Sequence, residues 1–331
     1  MIAMRAMRTA RLGRQGPEIT VLGLGTWAVG GPYEFGWGPQ DDDDSIAAIR
    51  RAVEQGIKWI DTAPAYGIGH AEEVVGRALE PWTAGEDVFV FTKCGRKLSP
   101  EGVPLTDLRP EAIRAECHRS LQRLRVERID LYQFHWPDHM TGTPVEDSWA
   151  TMAELVDEGV VRWLGVSNFD VEGLERCEAV RHVDSLQPPL NLINRSARRE
   201  VIPWCEQHGT GVIAYSPMAS GLLTGKFDAA AVDALAPDDW RRRNPEFSEP
   251  KLSRNLELVE HLRGLARRHG VGAPALAVAW ALATPGVTAA IVGARRPDQV
   301  DGWLPAAGVE LTSDDLEAIE RALADTGAGT G

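Results

Sequence analysis

Four residues combine types and placement suited to proton chemistry: Asp61, Tyr66, Lys93 and His135. Asp61 falls near the end of one apolar run, IKWIDTA (57–63), with Tyr66 just beyond it in DTAPAYG. Lys93 and His135 close two further runs, VFVFTKC (88–94) and IDLYQFH (129–135). A carboxylate and an ammonium are costly to bury in such runs unless they pair. Asp61 and Lys93 are therefore expected to neutralise each other. An ammonium beside a tyrosine favours phenolate, so Lys93 is expected to lower a Tyr66 pKa that starts near ~10. A tyrosine so tuned can protonate a carbonyl oxygen and, in reverse, deprotonate an alcohol. An Asp61–Lys93 pair alone would suit a structural ion pair; Tyr66 and His135 at neighbouring run ends turn the reading toward catalysis.

These residues need a scaffold that gathers strand ends. The chain alternates short β-branched runs with helical-period stretches, and the runs read as strands lie at 21–27, 57–63, 88–94, 129–135, 160–166, 185–191, 211–217 and 289–295. Between them, the segments 45–56, 71–79, 110–126, 144–159, 252–270 and 273–283 are amphipathic or apolar; in 110–126, Ile113, Cys117, Leu121 and Leu124 recur at helical spacing. Largely apolar strands alternating with helices read as parallel strands buried on both faces. Eight such units predict an α/β fold, a single (β/α)8 TIM-type barrel over residues 1–331, whose strand C-termini converge on one face. Residues 8–20 predict an N-terminal β-hairpin turning at Arg14–Gly16 and plugging the barrel bottom. Residues 226–251 form a long insertion after the seventh strand, suited to a lid or binding loop, and the tail 325–331 is expected to fray. The acidic run Asp41–Asp44 before Ser45 suits a helix N-terminus.

The composition narrows the partners. The 331 residues are 44% hydrophobic and carry a net charge of −13, which argues against nucleic acid and anionic membranes, because both need basic stripes. No apolar run approaches the roughly 20 residues of a membrane span. MIAMRAMRTARLG lacks an apolar leader core, so a cytoplasmic location is expected. Four cysteines without metal-ligand spacing predict neither disulfides nor structural zinc. GLGTWA (23–28) fits a dinucleotide fingerprint, but Gly30, Gly31 and Pro32 follow it and stop the helix that the fingerprint needs. His135, Asp138 and His139 could suggest a metal; Pro137 breaks the helical face that would present them.

Taken in order, GLGTW, DTAPAYG, FTKCG, FHWPD, GVSNF (165–169), the strand with Gln187, AYSPMASGLLTGKF (214–227) and IVGARRPDQ (291–299) resemble the signature segments of the aldo-keto reductases. The resemblance spans nearly the whole chain. It implies an oxidoreductase that moves hydride from NADPH, or alternatively NADH, to the carbonyl of an aldehyde, ketone or sugar-like substrate. By similarity Tyr66 is the general acid, Lys93 tunes it, Asp61 holds Lys93, and His135 orients the carbonyl. Ser167, Asn168 and Gln187 would anchor the nicotinamide and Tyr215 would stack on it. Thr26, Trp27 and Asp61 would border the cofactor, and Ser216, Pro217, Met218, Gly221, Leu222 and Lys226 would line the pyrophosphate path. Gly293, Arg295 and Gln299 would meet the adenosine end, where an arginine suits a 2′-phosphate. Gly302 and Trp303 stand where the family places an acidic residue and an Asn. Trp27, Tyr66, His135 and Trp136 would wall the substrate; Tyr33, Phe35 and Trp37 either extend that wall or pack within their own loop, and Arg241–Arg243 either close over phosphate or form a solvated basic run. Two other readings use the same residues: a cofactor-holding regulatory protein, and a Schiff-base lyase on Lys93. Oligomeric state is left open.

Overall fold

The computed structural model describes residues 7–33, 35–99, 103–237 and 239–330. Eight parallel strands close into a barrel. They are β1 (Leu22–Gly25), β2 (Trp59–Asp61), β3 (Phe89–Cys94), β4 (Ile129–Phe134), β5 (Val161–Ser167), β6 (Ser185–Gln187), β7 (Gly211–Ala214) and β8 (Ala289–Gly293). Each pairs with the next, and β8 closes on β1 through Gly293 and Gly25. The strands are shorter than the apolar runs that predicted them. Trp27 does not end β1 but opens a 3-10 turn, Trp27–Val29, because the Thr26 amide and hydroxyl both turn back to donate to the Asp61 carbonyl at 3.0 and 3.1 Å.

The barrel interior changes character with height. Its lower part is apolar: Trp59 stacks on Phe91 with ring centroids 5.2 Å apart, among Leu131, Ile213, Ala289 and Ile291. Gly23 leaves room for the Trp59 indole; a Cβ there would fall 2.2 Å from it. Two short antiparallel strands, Thr9–Arg11 and Glu18–Thr20, form a hairpin whose Leu12 and Ile19 join this cluster. The hairpin is fastened from within, since Trp59 Nε1 donates to the Thr20 carbonyl at 2.8 Å and Trp163 Nε1 to that of Gln15 at 3.1 Å. Above the apolar layer Asp61, Lys93, Gln133 and Gln187 are all buried.

Three helices bear directly on the mouth: α1 (Asp42–Glu54), α2 (His70–Ala78) and α3 (Pro110–Leu124). The acidic run caps α1, with Asp41 accepting from the Asp43 and Asp44 amides at 2.8 and 3.1 Å. Segment 226–251 holds a short helix, Ala229–Asp233, and 3-10 turns at Trp240–Arg243 and Pro245–Phe247. The tail departs from the expected fraying. Its helix runs Ser313–Thr326, and Gly327, at φ 66°, turns the chain so that Ala328 enters the core. Among the described residues no helix is long and apolar enough to cross a membrane.

Candidate active site

The barrel brings Asp61, Tyr66, Lys93 and His135 together at the strand C-termini. Lys93 is fully buried on β3, and its ammonium donates to Asp61 Oδ1 at 2.5 Å, to the Thr62 carbonyl at 2.9 Å and to Tyr66 Oη at 3.4 Å. Those three contacts use the three N–H donors of an ammonium. The other Asp61 oxygen accepts from Gln187 Nε2 at 2.9 Å and Gln133 Nε2 at 3.3 Å. The buried pair is thus saturated on both sides, as a dry ion pair requires. Burial pulls the Lys93 pKa down, and Asp61 and then Glu72 push it back up.

One electrostatic expectation is corrected. Burial, and after it the charge of Asp61, hold the Tyr66 hydroxyl well above its ordinary range. Lys93 does not reverse that net rise, because much of its charge is offset by the carboxylate 2.5 Å away. Tyr66 is therefore protonated at neutral pH. Since an ammonium can only donate, Tyr66 Oη is the acceptor in its bond with Lys93, and its own proton remains available to an oxygen in the mouth. The His135 ring stands edge-on to that of Tyr66, centroids 5.6 Å apart.

Burial, aided by Lys93 and Arg96, keeps the His135 pKa well below its usual value. The ring is neutral near pH 7 and can donate one hydrogen bond. In the unfolded chain a histidine takes up a proton near pH ~6.5; this one, folded, does so only in stronger acid. Stability tied to it is present above that pH and lost as pH falls. The Tm advantage of the wild type over His135→Gln is expected to shrink between about pH 8 and about pH 5.5. A constant gap in thermal unfolding across that range would contradict the neutral imidazole.

A nicotinamide dinucleotide fits the remaining residues. Gly25 and Gly293 face each other across β1 and β8, and a Cβ on Gly293 would stand 3.7 Å from the Gly25 carbonyl, so this edge of the mouth has no side chain. Asn168, at φ 64°, donates to the His135 carbonyl and to Ser167 Oγ, each at 3.0 Å, and accepts from the Tyr215 hydroxyl at 2.8 Å. That bond fixes the plane of a half-buried aromatic ring beside Asn168. Ser167 donates to the Gln187 carbonyl at 2.9 Å, and the Gln187 amide is spent on Asp61 and on Gln133 at 3.1 Å. Downstream, Ser216, Ala219, Ser220 and Gly221 all have positive φ, a backbone form that curls amides into anion-binding concavities. Pro217 and Leu222 are buried in this turn, Met218 packs on the core, and Lys226 is exposed at its end.

Other residues landed differently. Arg295 turns inward: Nε donates to Gln40 Oε1 at 2.5 Å, Nη1 to the Trp37 carbonyl at 3.0 Å and Nη2 to that of Pro39. The Gln299 side chain accepts from the Arg295 amide at 2.7 Å. Trp136 is exposed, with Arg96 over its ring. Trp27 stacks on Trp240 of the insertion at 5.3 Å, and Trp37 meets both edge-on. Arg241 sits over Trp37 and Phe227 while pairing with Asp239 at 2.6 Å. The sequence reading missed Gln133, Gln40 and Trp240. Gln133 was recoverable, being two residues before His135 and hence on the same strand face; the other two are brought in by tertiary contacts that no local pattern announces.

The closed barrel gathers Asp61, Tyr66, Lys93 and His135 at one mouth, and comparison places the chain in a family. The chain belongs to the aldo/keto reductase family, whose model matches residues 21–324, and it is an oxidoreductase acting on carbonyl and alcohol groups. It is 38% identical over 312 residues to aldo-keto reductase YhdN of Bacillus subtilis, covering 94% of this chain and 92% of that one. It is 32% identical to the NADH-specific methylglyoxal reductase of Escherichia coli, covering 95% and 100%. The glycerol dehydrogenase AKR11B4 structure from Gluconobacter oxydans superposes with a TM-score of 0.86 at 38% identity, covering 98% and 97%.

Proposed function

We propose that this chain reduces the carbonyl of small aldehydes, ketones or sugar-like compounds with a reduced nicotinamide dinucleotide, and oxidises the alcohol in reverse, with Tyr66 as the acid and base. The observation that carries this reading is the Tyr66 hydroxyl, which accepts from Lys93 at 3.4 Å and so keeps its proton for the substrate. When bound, the dinucleotide supplies the hydride. The neutral His135 ring donates to the carbonyl oxygen and orients it. Tyr66 Oη releases its proton to that oxygen, and the Lys93 ammonium holds the resulting phenolate. Asp61 keeps Lys93 charged inside the barrel. Ser167 and Asn168 grip the carboxamide and Tyr215 sets the ring face. The Trp27–Trp37–Trp240 cluster shields the mouth from water and seats apolar parts of the substrate. Two relatives, named for methylglyoxal and for glycerol, support a small oxygenated substrate.

For the cofactor we favour NADPH over NADH, through the positive edge formed by Arg295 with Arg241 and Arg296 close enough to act on its charge. The Escherichia coli relative is NADH-specific, and the Arg295 guanidinium is already engaged with Gln40 and the Trp37 and Pro39 carbonyls. Arg295→Met removes one charge of that edge and the anchor of the Trp37–Gln40 segment, so it is expected to lower kcat/KM with NADH somewhat and with NADPH about tenfold more; equal losses would remove the charge argument for NADPH. A loss confined to NADPH would make Arg295 a direct phosphate reader. The reading as a whole is tested by cofactor oxidation against a panel of aldehydes, ketones and keto-sugars, with NADPH and NADH in parallel. Turnover that is faster with NADPH is expected; silence from every carbonyl would overturn the proposal.

A further inference from the structure

Behind the Tyr66–Lys93 pair lies a second charged cluster that touches neither substrate nor cofactor. Glu72, in the first turn of α2, is completely buried. Its Oε1 accepts from Thr92 Oγ1 at 2.6 Å and its Oε2 from Arg123 Nε of α3, also at 2.6 Å. Thr92 is the residue before Lys93 and points to the opposite face of β3, toward the helices. The residue before Glu72, Ala71, donates its amide to the Tyr66 carbonyl at 3.2 Å. Two adjacent residues of one helical turn therefore hold the two catalytic partners: Ala71 the Tyr66 loop, Glu72 the strand of Lys93. Arg123 closes the arrangement from outside. Its stem packs on Gly69 in the Tyr66 loop, where a Cβ would lie 2.8 Å from the Arg123 Cδ.

We infer that Glu72, braced by Arg123 and bonded to Thr92, is a positioning residue that sets the Lys93–Tyr66 spacing of the proposed reduction. The inference rests on that reading of Tyr66 and Lys93. An Asp61–Lys93 ion pair by itself leaves the distance to Tyr66 free to vary, since Tyr66 sits on a loop and not on a strand. The α2 turn removes that freedom by tying loop and strand to one rigid element. The charge of Glu72 acts in the same sense, favouring the protonated form of Lys93. The titratable and charged groups facing Glu72 are Arg123, Glu116 and Cys117 on α3 and Lys93 on β3, while Asp61, Tyr66 and His135 face Lys93.

The test is steady-state kinetics of Glu72→Gln across pH, with cofactor affinity measured separately by fluorescence. A misplaced proton donor is expected to lower kcat by about 10–100-fold, with KM and cofactor Kd within twofold or so of wild type. The alkaline limb of kcat is expected to move to lower pH, because Lys93 loses a negative neighbour and gives up its proton sooner. Thr92→Val keeps the Glu72–Arg123 pair and removes only the strand bond. It is expected to lower kcat several-fold at unchanged KM, and it decides the matter if Glu72→Gln does not fold. A variant that folds with wild-type kcat and pH profile but a lower Tm would overturn the inference and make the cluster purely structural. An effect on KM alone would do the same. A wild-type protein inert toward every carbonyl would instead remove the reading of Tyr66 itself, so the two failures are separable.

Discussion

Tyr66→Phe is expected to lower kcat for carbonyl reduction by about 10²–10⁴-fold, the range that a positioned acid contributes, with cofactor affinity close to wild type. The substitution removes one oxygen and leaves the ring that His135 meets edge-on. No other hydroxyl accepts from the Lys93 ammonium among the described contacts, so no neighbour inherits the proton transfer. The affinity expectation follows from position: Tyr66 lies on the Lys93 side of the mouth, whereas Ser167, Asn168 and Tyr215 are bound to one another and to β6. Stopped-flow hydride transfer and cofactor titration separate the two quantities. Retained turnover would end the assignment of Tyr66 as the acid. The pH profile adds a second check, because the raised Tyr66 pKa keeps the acid protonated well into the alkaline range. Reduction should thus persist into the alkaline range until Lys93 gives up its proton, and oxidation should quicken as the pH rises over that range.

The second large effect is expected at Lys93, and there stability and activity fall together. Lys93→Met leaves Asp61 buried with two glutamine amides and no cation. Removing one partner of a buried ion pair costs about 3–5 kcal/mol, a large share of the stability of a typical protein. Turnover should be lost as well, since among the described residues no other cation bonds the Tyr66 hydroxyl. The double variant Lys93→Met with Asp61→Asn distinguishes the two losses. It removes both charges while keeping an acceptor for Gln133 and Gln187, so most of the stability should return while activity does not. Denaturant unfolding and turnover of the four proteins form a complete cycle. A double variant as unstable as the single one would show that the charge imbalance is not the cause.

Much of this arrangement was legible in the residues. Alternating apolar runs announced eight parallel strands, and polar residues at three consecutive run ends announced where they converge. Asp61 and Lys93 could be paired on paper because an isolated buried charge is too costly to leave alone. Even the hairpin was readable, from a turn set between short β-prone stretches. These are local or alternating patterns, and period and burial cost reach no further than that.

The direction of the Tyr66 shift was not legible. Burial in the folded mouth is the larger cause, and which of Lys93 and Asp61 dominates beyond it depends on the 2.5 Å contact between them. The partners of Arg295 were also hidden, since Trp37, Pro39 and Gln40 lie more than 250 residues away in the chain. The ordered tail turns on one left-handed glycine and on burial of Ala328 in the core. The sequence by itself determined the barrel, the residue types at its mouth and the side on which they meet, because burial cost and strand periodicity act through neighbours in the chain. Only the tertiary structure decided which donor meets which acceptor, because electrostatics and close packing depend on distances that residues remote in sequence set together.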